Sequence, residues 1–552
     1  MTASEDDRPR AAPKNTAPHA AAAKGAPAAA TDVVIVGSGH NGLVAAAYLA
    51  RYGTRVTVLE RLDRIGGAAV SERPFPGIDA SLSRYSYLVS LLPYAIVRDL
   101  ELDVELRSRP VASYTPVLRE GKPDGLLVER RPGPRTAQSF HRLTGSDREW
   151  RAWQEFYGRI ERAARVLAPS LLEPLVPKGE MMKAVREAVG GAFWDRFMEQ
   201  PLGEVVEQTF ADDDVRGVVL TDALIGTQSH AHDPSLAQNR CFLYHVIGNG
   251  TGEWRVPIGG MGAVAQSLAR AADKAGAHFV TGATVTRIEA DGRRASVRYT
   301  TADGEKRIDA RYVLVNAAPA ILDELLGRPG GRRPEGNQLK INMVLSRLPA
   351  LRSGMDPTLA FAGTLHVDES YSGLLGAYTQ AEAGVLPDPL PAEVYCHTLT
   401  DRTILGPESM KRGLQTLTLF GLHTPARLYE APGARDEAVR LALAGLNRHL
   451  AEPIEDCLAL DAEGRPCLEA RSPLDIEREL AMPGGHIFHG DLDWPWAAHD
   501  REVGTWGVET DIPNVLICGS GARRGGAISG VPGRAAALAL LLSRSRRRRE
   551  RG

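Results

Sequence analysis

The clearest chemistry in this chain is phosphate binding. Gly37-Ser38-Gly39-His40-Asn41-Gly42 is followed, eighteen residues after its last glycine, by the acid Glu60 and then Arg61. Gly37 permits a tight turn, Gly39 lets backbone come close to a pyrophosphate, and Gly42 lets a helix lie tight on a sheet. Glu60 is placed to accept hydrogen bonds from ribose hydroxyls, and its charge would repel a 2′-phosphate. A second glycine-rich stretch, Gly519-Ser520-Gly521 and then Gly525-Gly526-Ala527-Ile528, lies near the C-terminal end and reads as another anion-binding element.

The elements around these turns are legible. An apolar run, Val33–Val36, leads into the first turn; a small-residue helix over Leu43–Tyr52 follows, then a second apolar run, Val56–Leu59, ending on Glu60. This is a strand, turn, helix and parallel strand, the context in which a glycine turn binds a dinucleotide, with the helix start turning free N–H groups and partial positive charge to the phosphates. Farther on, Tyr312–Asn316 reads as an apolar strand and Ala263–Ala275 as a helix. A hairpin is expected around Asp303-Gly304.

Composition narrows the class. The chain has 552 residues, 43% hydrophobic and 24% charged, with a formal net charge of −2. That describes an ordinary globular enzyme-sized protein and gives no reason to expect nucleic acid as a partner. No uninterrupted apolar run is long enough for a membrane span. Residues 1–30, rich in alanine and proline, read as a disordered tail without the apolar core of a secretory signal. Five cysteines without a CxxC fit a reducing cytoplasm and argue against disulfide exchange.

Several segments carry expectations of their own. Leu88–Leu100 has helical apolar spacing, and Ala112–Leu118 and Gly125–Glu129 read as strands around a Gly-Lys-Pro-Asp turn. Aromatic stripes over 147–208 predict helices that pack a core or form a lid. His230 and His232 lack further ligands at zinc-like spacing, so a solvated loop is expected and no metal. His245 is read either as a satisfied core histidine or as a cavity residue. Lys340, among apolar neighbours in a strand expected over 337–349, is either a snorkelling lysine or an ammonium near the reaction site. Cys518 is expected to be a small buried residue at a strand end.

Gly66-Gly67, just past Glu60, resembles the second glycine pair of flavoproteins whose strand–turn–helix binds FAD. The resemblance widens along the chain. Gly259-Gly260-Met261-Gly262, Val285, the VLVNAAP stretch, PGGHIFHGDL and CGSGARRGGAISGVPG occur in the order seen in the carotenoid-desaturase superfamily, and the chain most resembles its phytoene-dehydrogenase-like members. That resemblance implies an α/β fold with a Rossmann-like FAD-binding domain of the glutathione-reductase type, assembled from 31–85, 255–330 and 481–543. A substrate domain with a helical lid over 86–254 and a substrate-binding β-sheet region over 331–480 would complete it, with a basic tail at 544–552. It also implies that Ala68 and Val285 border the cofactor, the latter near the adenine, and that Gly526-Ala527-Ile528 meet the flavin ring.

The activity implied is FAD-dependent removal of two hydrogens from a carbon–carbon unit of an apolar or polyene-like substrate, free or carrier-bound, with hydride passing to flavin N5. His489 is the candidate base or orienter, Asp491 its candidate partner, and Lys340 the third catalytic candidate. Carbon–nitrogen oxidation, double-bond isomerisation and flavin binding without catalysis are the alternatives. The tail SRSRRRRER is a candidate peripheral membrane contact. Asp493-Trp494-Pro495-Trp496 departs from the family pattern and is expected to reshape the cavity beside the flavin.

Overall fold

The computed structural model describes residues 31–330 and 333–549. The tail expected over 1–30 and the last residues of the basic segment lie outside them. Val33–Val36 (β1) and Val56–Leu59 (β2) pair in parallel and are buried along their whole length. Helix α1 (His40–Arg51) connects them, and its residues from Asn41 to Ala50 are buried. Three strands from later in the chain complete the sheet: β3 (His278–Val280), β4 (Tyr312–Val315) and β5 (Val515–Ile517). The order is β5-β4-β1-β2-β3, all parallel.

Alternation along β1 decides what covers each face. Val33 and Ile35 join the core formed with α1, α2 (Met261–Lys274) and α3 (Val531–Arg549). Val34 and Val36 join the other core, under an antiparallel sheet of Thr284–Ala290, Ala295–Thr301 and Gly304–Ala310. Burial on both faces is why these strands read as continuous apolar runs. Gly533 lets α3 cross α1 closely, since a Cβ there would stand 2.0 Å from the Asn41 carbonyl oxygen.

The second unit is a seven-stranded mixed sheet. Its order is Leu468–Arg471, Leu339–Leu345, Gln415–Gly421, Ala392–Tyr395, Thr364–Val367, Val111–Arg119, Lys122–Glu129. The last two strands precede the helical region in sequence, yet Val111–Arg119 pairs with a strand that follows it, Thr364–Val367, in parallel. Helices Arg148–Ser170, Lys178–Val189, Gly191–Met198 and Leu202–Thr209 form the expected helical region. Among the described residues, no helix is long and apolar enough to cross a membrane.

Three local expectations are corrected. Only Tyr94–Asp99 of the expected helix 88–100 is helical. Pro93 forces its predecessor out of helical geometry, and Val89 instead exchanges backbone hydrogen bonds with Arg255 at 3.0 and 2.9 Å. The hairpin after Val111–Arg119 turns at Glu120-Gly121, both at positive φ (52° and 75°), and Lys122-Pro123 already belongs to the next strand. That is the backbone of a two-residue turn whose twist suits a hairpin. Trp494 and Trp496 do not reach the cavity wall. They stack on each other at 4.9 Å, and Trp496 packs on Trp194 in the helical region's core.

Replacing Gly533 with alanine is expected to destabilise the protein by roughly 1–3 kcal/mol, because the helix contact has no room for the added methyl. Urea unfolding of the variant beside the wild type checks this; an unchanged midpoint would refute the close crossing.

Candidate active site

One cavity of about 920 Å³ runs from the glycine turn to the mixed sheet, walled by Gly37, Gly39 and Glu60 at one end and by Tyr87, Lys340 and Tyr395 at the other. The nucleotide end is built from backbone. Helix α1 starts at Gly39 with no side-chain cap, so its first N–H groups are available. The Asn316 side-chain oxygen, in the orientation that satisfies its neighbours, accepts from Gly39 N–H at 3.1 Å and Gly42 N–H at 3.3 Å. The N–H groups of His40 and Asn41 are left to face a phosphate. A Cβ on Gly39 would stand 2.9 Å from Asn316, and one on Gly67 would stand 3.1 Å from the Gly39 Cα. These three residues hold the turn open to a ligand's backbone-close approach, which is the fit a pyrophosphate requires.

Glu60 is buried at the end of β2, and its carboxylate accepts from Ser38 N–H at 2.8 Å, the Ser38 hydroxyl at 2.6 Å and Leu62 N–H at 2.9 Å. It lines the cavity. Ser38 therefore orients the acid. Gly66 forms a bridge with Gly39, donating its N–H to the Ser38 carbonyl at 3.2 Å. Asn41 is turned inward, its amide 3.5 Å from the Ser520 hydroxyl, and Gly42 and Gly519 serve close packing against Gly37 and Asn316. Arg61, Gly67, Ala68, Val285, Gly526, Ala527 and Ile528 line the cavity, whereas Ser38, Asn41, Gly42, Gly66 and Gly519 support its wall from behind.

Besides Ala481, the C-cap of a short helix at φ 54°, two non-glycine lining residues sit in the left-handed region that L side chains rarely adopt, His489 at φ 65° and Ala527 at φ 50°. Both belong to loops that close the cavity from the C-terminal side. His489 is held neutral, its pKa lowered to about 4 by burial and then by His486 and His40, and its Nδ1 has no hydrogen-bond partner. Asp491 is exposed and outside the lining, no hydrogen bond among the described residues joins it to His489, and its charge acts on His486 instead. His40, which the sequence reading passed over, lines the cavity and is likewise held at about 4 by burial. Its place as the first residue of a glycine-turn helix was the available signal.

Lys340 is buried, not snorkelling. Its Nζ stands 3.9 Å over the ring of Tyr87 with no hydrogen-bond partner, and burial holds its pKa well below the ordinary lysine value. Around it the sequence reading missed a cluster. Arg109, Asp222, His366 and Glu393 line the same chamber, and His245 joins them at 3.2 Å from Asp222. Burial raises Glu393 and Asp222 to about 7. His366, Glu369 and Glu393 stand close enough to hold a metal ion, but His366 Nδ1 is engaged with Glu369 at 2.6 Å. His232 pairs with Glu207 at 2.8 Å, as a loop histidine should. All five cysteines are buried and unpaired, Cys518 among them.

The model of the family described as flavin containing amine oxidoreductase matches residues 42–346. This chain belongs to that family. FAD is accordingly its cofactor, and the glycine cradle above fits it. An uncharacterised protein of Mycobacterium tuberculosis is 48% identical over 94% of this chain and 98% of its own. A mouse protein named pyridine nucleotide-disulfide oxidoreductase domain-containing protein 2 is 30% identical, covering 92% of both. The crystal structure of an oxidoreductase from Methanosarcina mazei shares the fold at a TM-score of 0.54, with 16% identity over 93% of this chain and 100% of that one. The protein is an FAD-dependent oxidoreductase.

Two outcomes follow from this geometry. Gly39→Val places a branched side chain in the pyrophosphate cradle and should weaken FAD binding at least about tenfold, or ~1.4 kcal/mol. Flavin content after purification and reconstitution measures it, and full stoichiometry would show the cradle to lie elsewhere. The second concerns pH. His40, His245, His423, His486 and His489 are lowered to about 4 and His397 to about 3, all by burial, from an ordinary 6.5. Below pH 6.5 the unfolded chain therefore binds more protons than the fold, which loses stability down to about pH 4. Glu393 and Asp222, raised to about 7, act oppositely, favouring the fold as pH falls below 7. His366 is lowered as well, and burial also raises Glu369, Glu469 and Asp214; seven lowered imidazoles thus stand against five raised carboxyls, so the melting temperature should fall between pH 6.5 and 5, and a rise over that interval would contradict the burial of these imidazoles.

Proposed function

We propose that this protein is an FAD-dependent dehydrogenase that desaturates a carbon–carbon unit of a small, largely apolar substrate. The observation that carries this reading is the single cavity joining the nucleotide cradle to a buried chamber beneath the helical region. Bound FAD supplies the hydride acceptor. The chain's residues do the rest. Trp153, Tyr157, Tyr244 and Phe420 line the chamber and exclude water from the substrate's apolar body. His489 and Lys340, both held toward their neutral forms by burial, are available to take a proton from the carbon next to the one losing hydride. Asp491 has no part in this step, because it faces solvent.

The likeness of the PGGHIFHGDL and CGSGARRGGAISGVPG stretches to phytoene-dehydrogenase-like proteins supports carbon–carbon over carbon–nitrogen oxidation. The family description favours amines as a second reading, and Glu393 and Asp222 on the chamber wall are the groups that would meet one. Disulfide chemistry finds no support here, since the five cysteines are buried and separate.

Anaerobic mixing of the FAD-loaded protein with alkane-, alkene- and amine-bearing candidates separates the readings. A dehydrogenase bleaches the yellow flavin and yields a product two hydrogens lighter. Release of ammonia with the bleaching would favour the amine reading. Product of unchanged mass would indicate isomerisation. A flavin that no candidate bleaches, in protein fully loaded with FAD, counts against oxidation of all the classes offered.

A further inference from the structure

One end of the chamber holds acidic and basic side chains that differ in how well they are satisfied. Each acid has a partner. Glu393 accepts from the Tyr395 hydroxyl, Glu369 stands 2.6 Å from His366 Nδ1, and Asp222 stands 3.2 Å from His245 Nε2. The second oxygen of Glu369 is unbonded, but this residue lies behind His366 and off the cavity wall.

The basic side chains are less well satisfied. Arg109 is 6% exposed and lines the cavity. Its one hydrogen bond among the described residues is a long contact, 3.5 Å to the Thr364 hydroxyl, and its Nε makes none. No carboxylate stands within ion-pair distance of it among those residues; its guanidinium lies over the Tyr395 ring at 5.6 Å. The Tyr395 ring lies tilted against Tyr87 at 4.6 Å, and Tyr87 carries the unbonded Lys340 on its ring. One wall of the chamber thus presents two tyrosines flanked by Lys340 Nζ, which has no acceptor, and by Arg109, whose Nε has none.

A buried guanidinium lacking a counter-charge is strongly unfavourable, and its planar fork of donors matches the two oxygens of a carboxylate. Glu393 lies within electrostatic reach of Arg109, but its carboxylate is held by the Tyr395 hydroxyl and makes no hydrogen bond to the guanidinium, whose fork is left without a bidentate partner. Resting on the FAD-dependent reading above, we propose that Arg109 receives a carboxylate carried by the substrate, so that the cavity takes small apolar acids. The hydrocarbon body then runs from Arg109 along Tyr395 and Tyr87 into the aromatic part of the chamber. Such a substrate completes the hydrogen bonding of that end and leaves its apolar carbons with Phe420 and Tyr157. A neutral polyene would bury Arg109 with nothing to bind.

The test uses the FAD-loaded protein and three probes of one shape: hexanoate, hexanamide and hexylamine. Binding is read by tryptophan fluorescence, since Trp150, Trp153 and Trp254 line the cavity, and by the flavin difference spectrum. Hexanoate is expected to bind at least about tenfold tighter than hexanamide, with hexylamine weakest. Arg109→Gln should abolish that preference and Arg109→Lys should retain part of it. Equal binding of hexanoate and hexanamide, a preference for hexylamine, no binding of hexanoate, or a preference that survives in Arg109→Gln would each overturn the proposal. If Arg109→Gln does not fold, the discrimination by the wild type and by Arg109→Lys decides. Flavin content is measured separately. Stoichiometric FAD without carboxylate preference defeats the Arg109 assignment alone, whereas protein that holds no FAD defeats the cofactor reading while the fluorescence arm still tests Arg109.

Discussion

The structure depends on a close approach of three backbone segments at one point. Gly39 at the start of α1, Gly67 after β2 and Asn316 at the end of β4 meet so tightly that a single added carbon at either glycine would collide with a neighbour. This contact seats α1 on the sheet and lets the Asn316 amide answer two helix-start N–H groups, leaving others for a phosphate. Glu60 is held beside it by Ser38. Side chains are kept out of this region because van der Waals contact through backbone alone brings enough N–H dipoles to the pyrophosphate.

The other end of the cavity works by the opposite means. There the wall is made of ionisable side chains carried on strands of the mixed sheet, among them Lys340, Glu393 and Tyr395. Burial moves each toward its uncharged form, so the chamber is polar in composition and weakly charged in effect. Arg109 resists, because a guanidinium stays protonated across the accessible pH range even when burial lowers it. The cofactor end is thus set by shape and the substrate end by protonation.

The sequence made the first of these legible and left the second hidden. Gly37, Gly39, Gly42 and Glu60 follow one another within a single strand–turn–helix–strand, and local spacing is what a sequence displays. The parallel strands were readable because burial on both faces writes a continuous apolar run, as in Val33–Val36. Arg109, Asp222, His366 and Glu393 are far apart in the chain and each stands alone among ordinary neighbours. The pairing of Thr364–Val367 with Ala392–Tyr395 and Val111–Arg119 brings Arg109, His366 and Glu393 together, and the end of helix Asp213–Thr221 adds Asp222; no local pattern announces either. Lys340 shows the same limit: an apolar stretch around a lysine does not say whether its tip reaches water. Asp491 shows the converse, since it stands two residues from His489 in sequence yet is exposed and off the cavity wall that His489 lines.

The interleaving of the nucleotide sheet has a bearing on biosynthesis. Strand β1 has its neighbour β4 some hundreds of positions later in the sequence, and β5 and α3 come later still. A polypeptide made only as far as β2 therefore holds an apolar β1–α1–β2 unit without α2 and α3, the helices that cover it. The cradle is incomplete until β4 has been made and Asn316 has joined Gly39, so cofactor capture follows the synthesis of that strand.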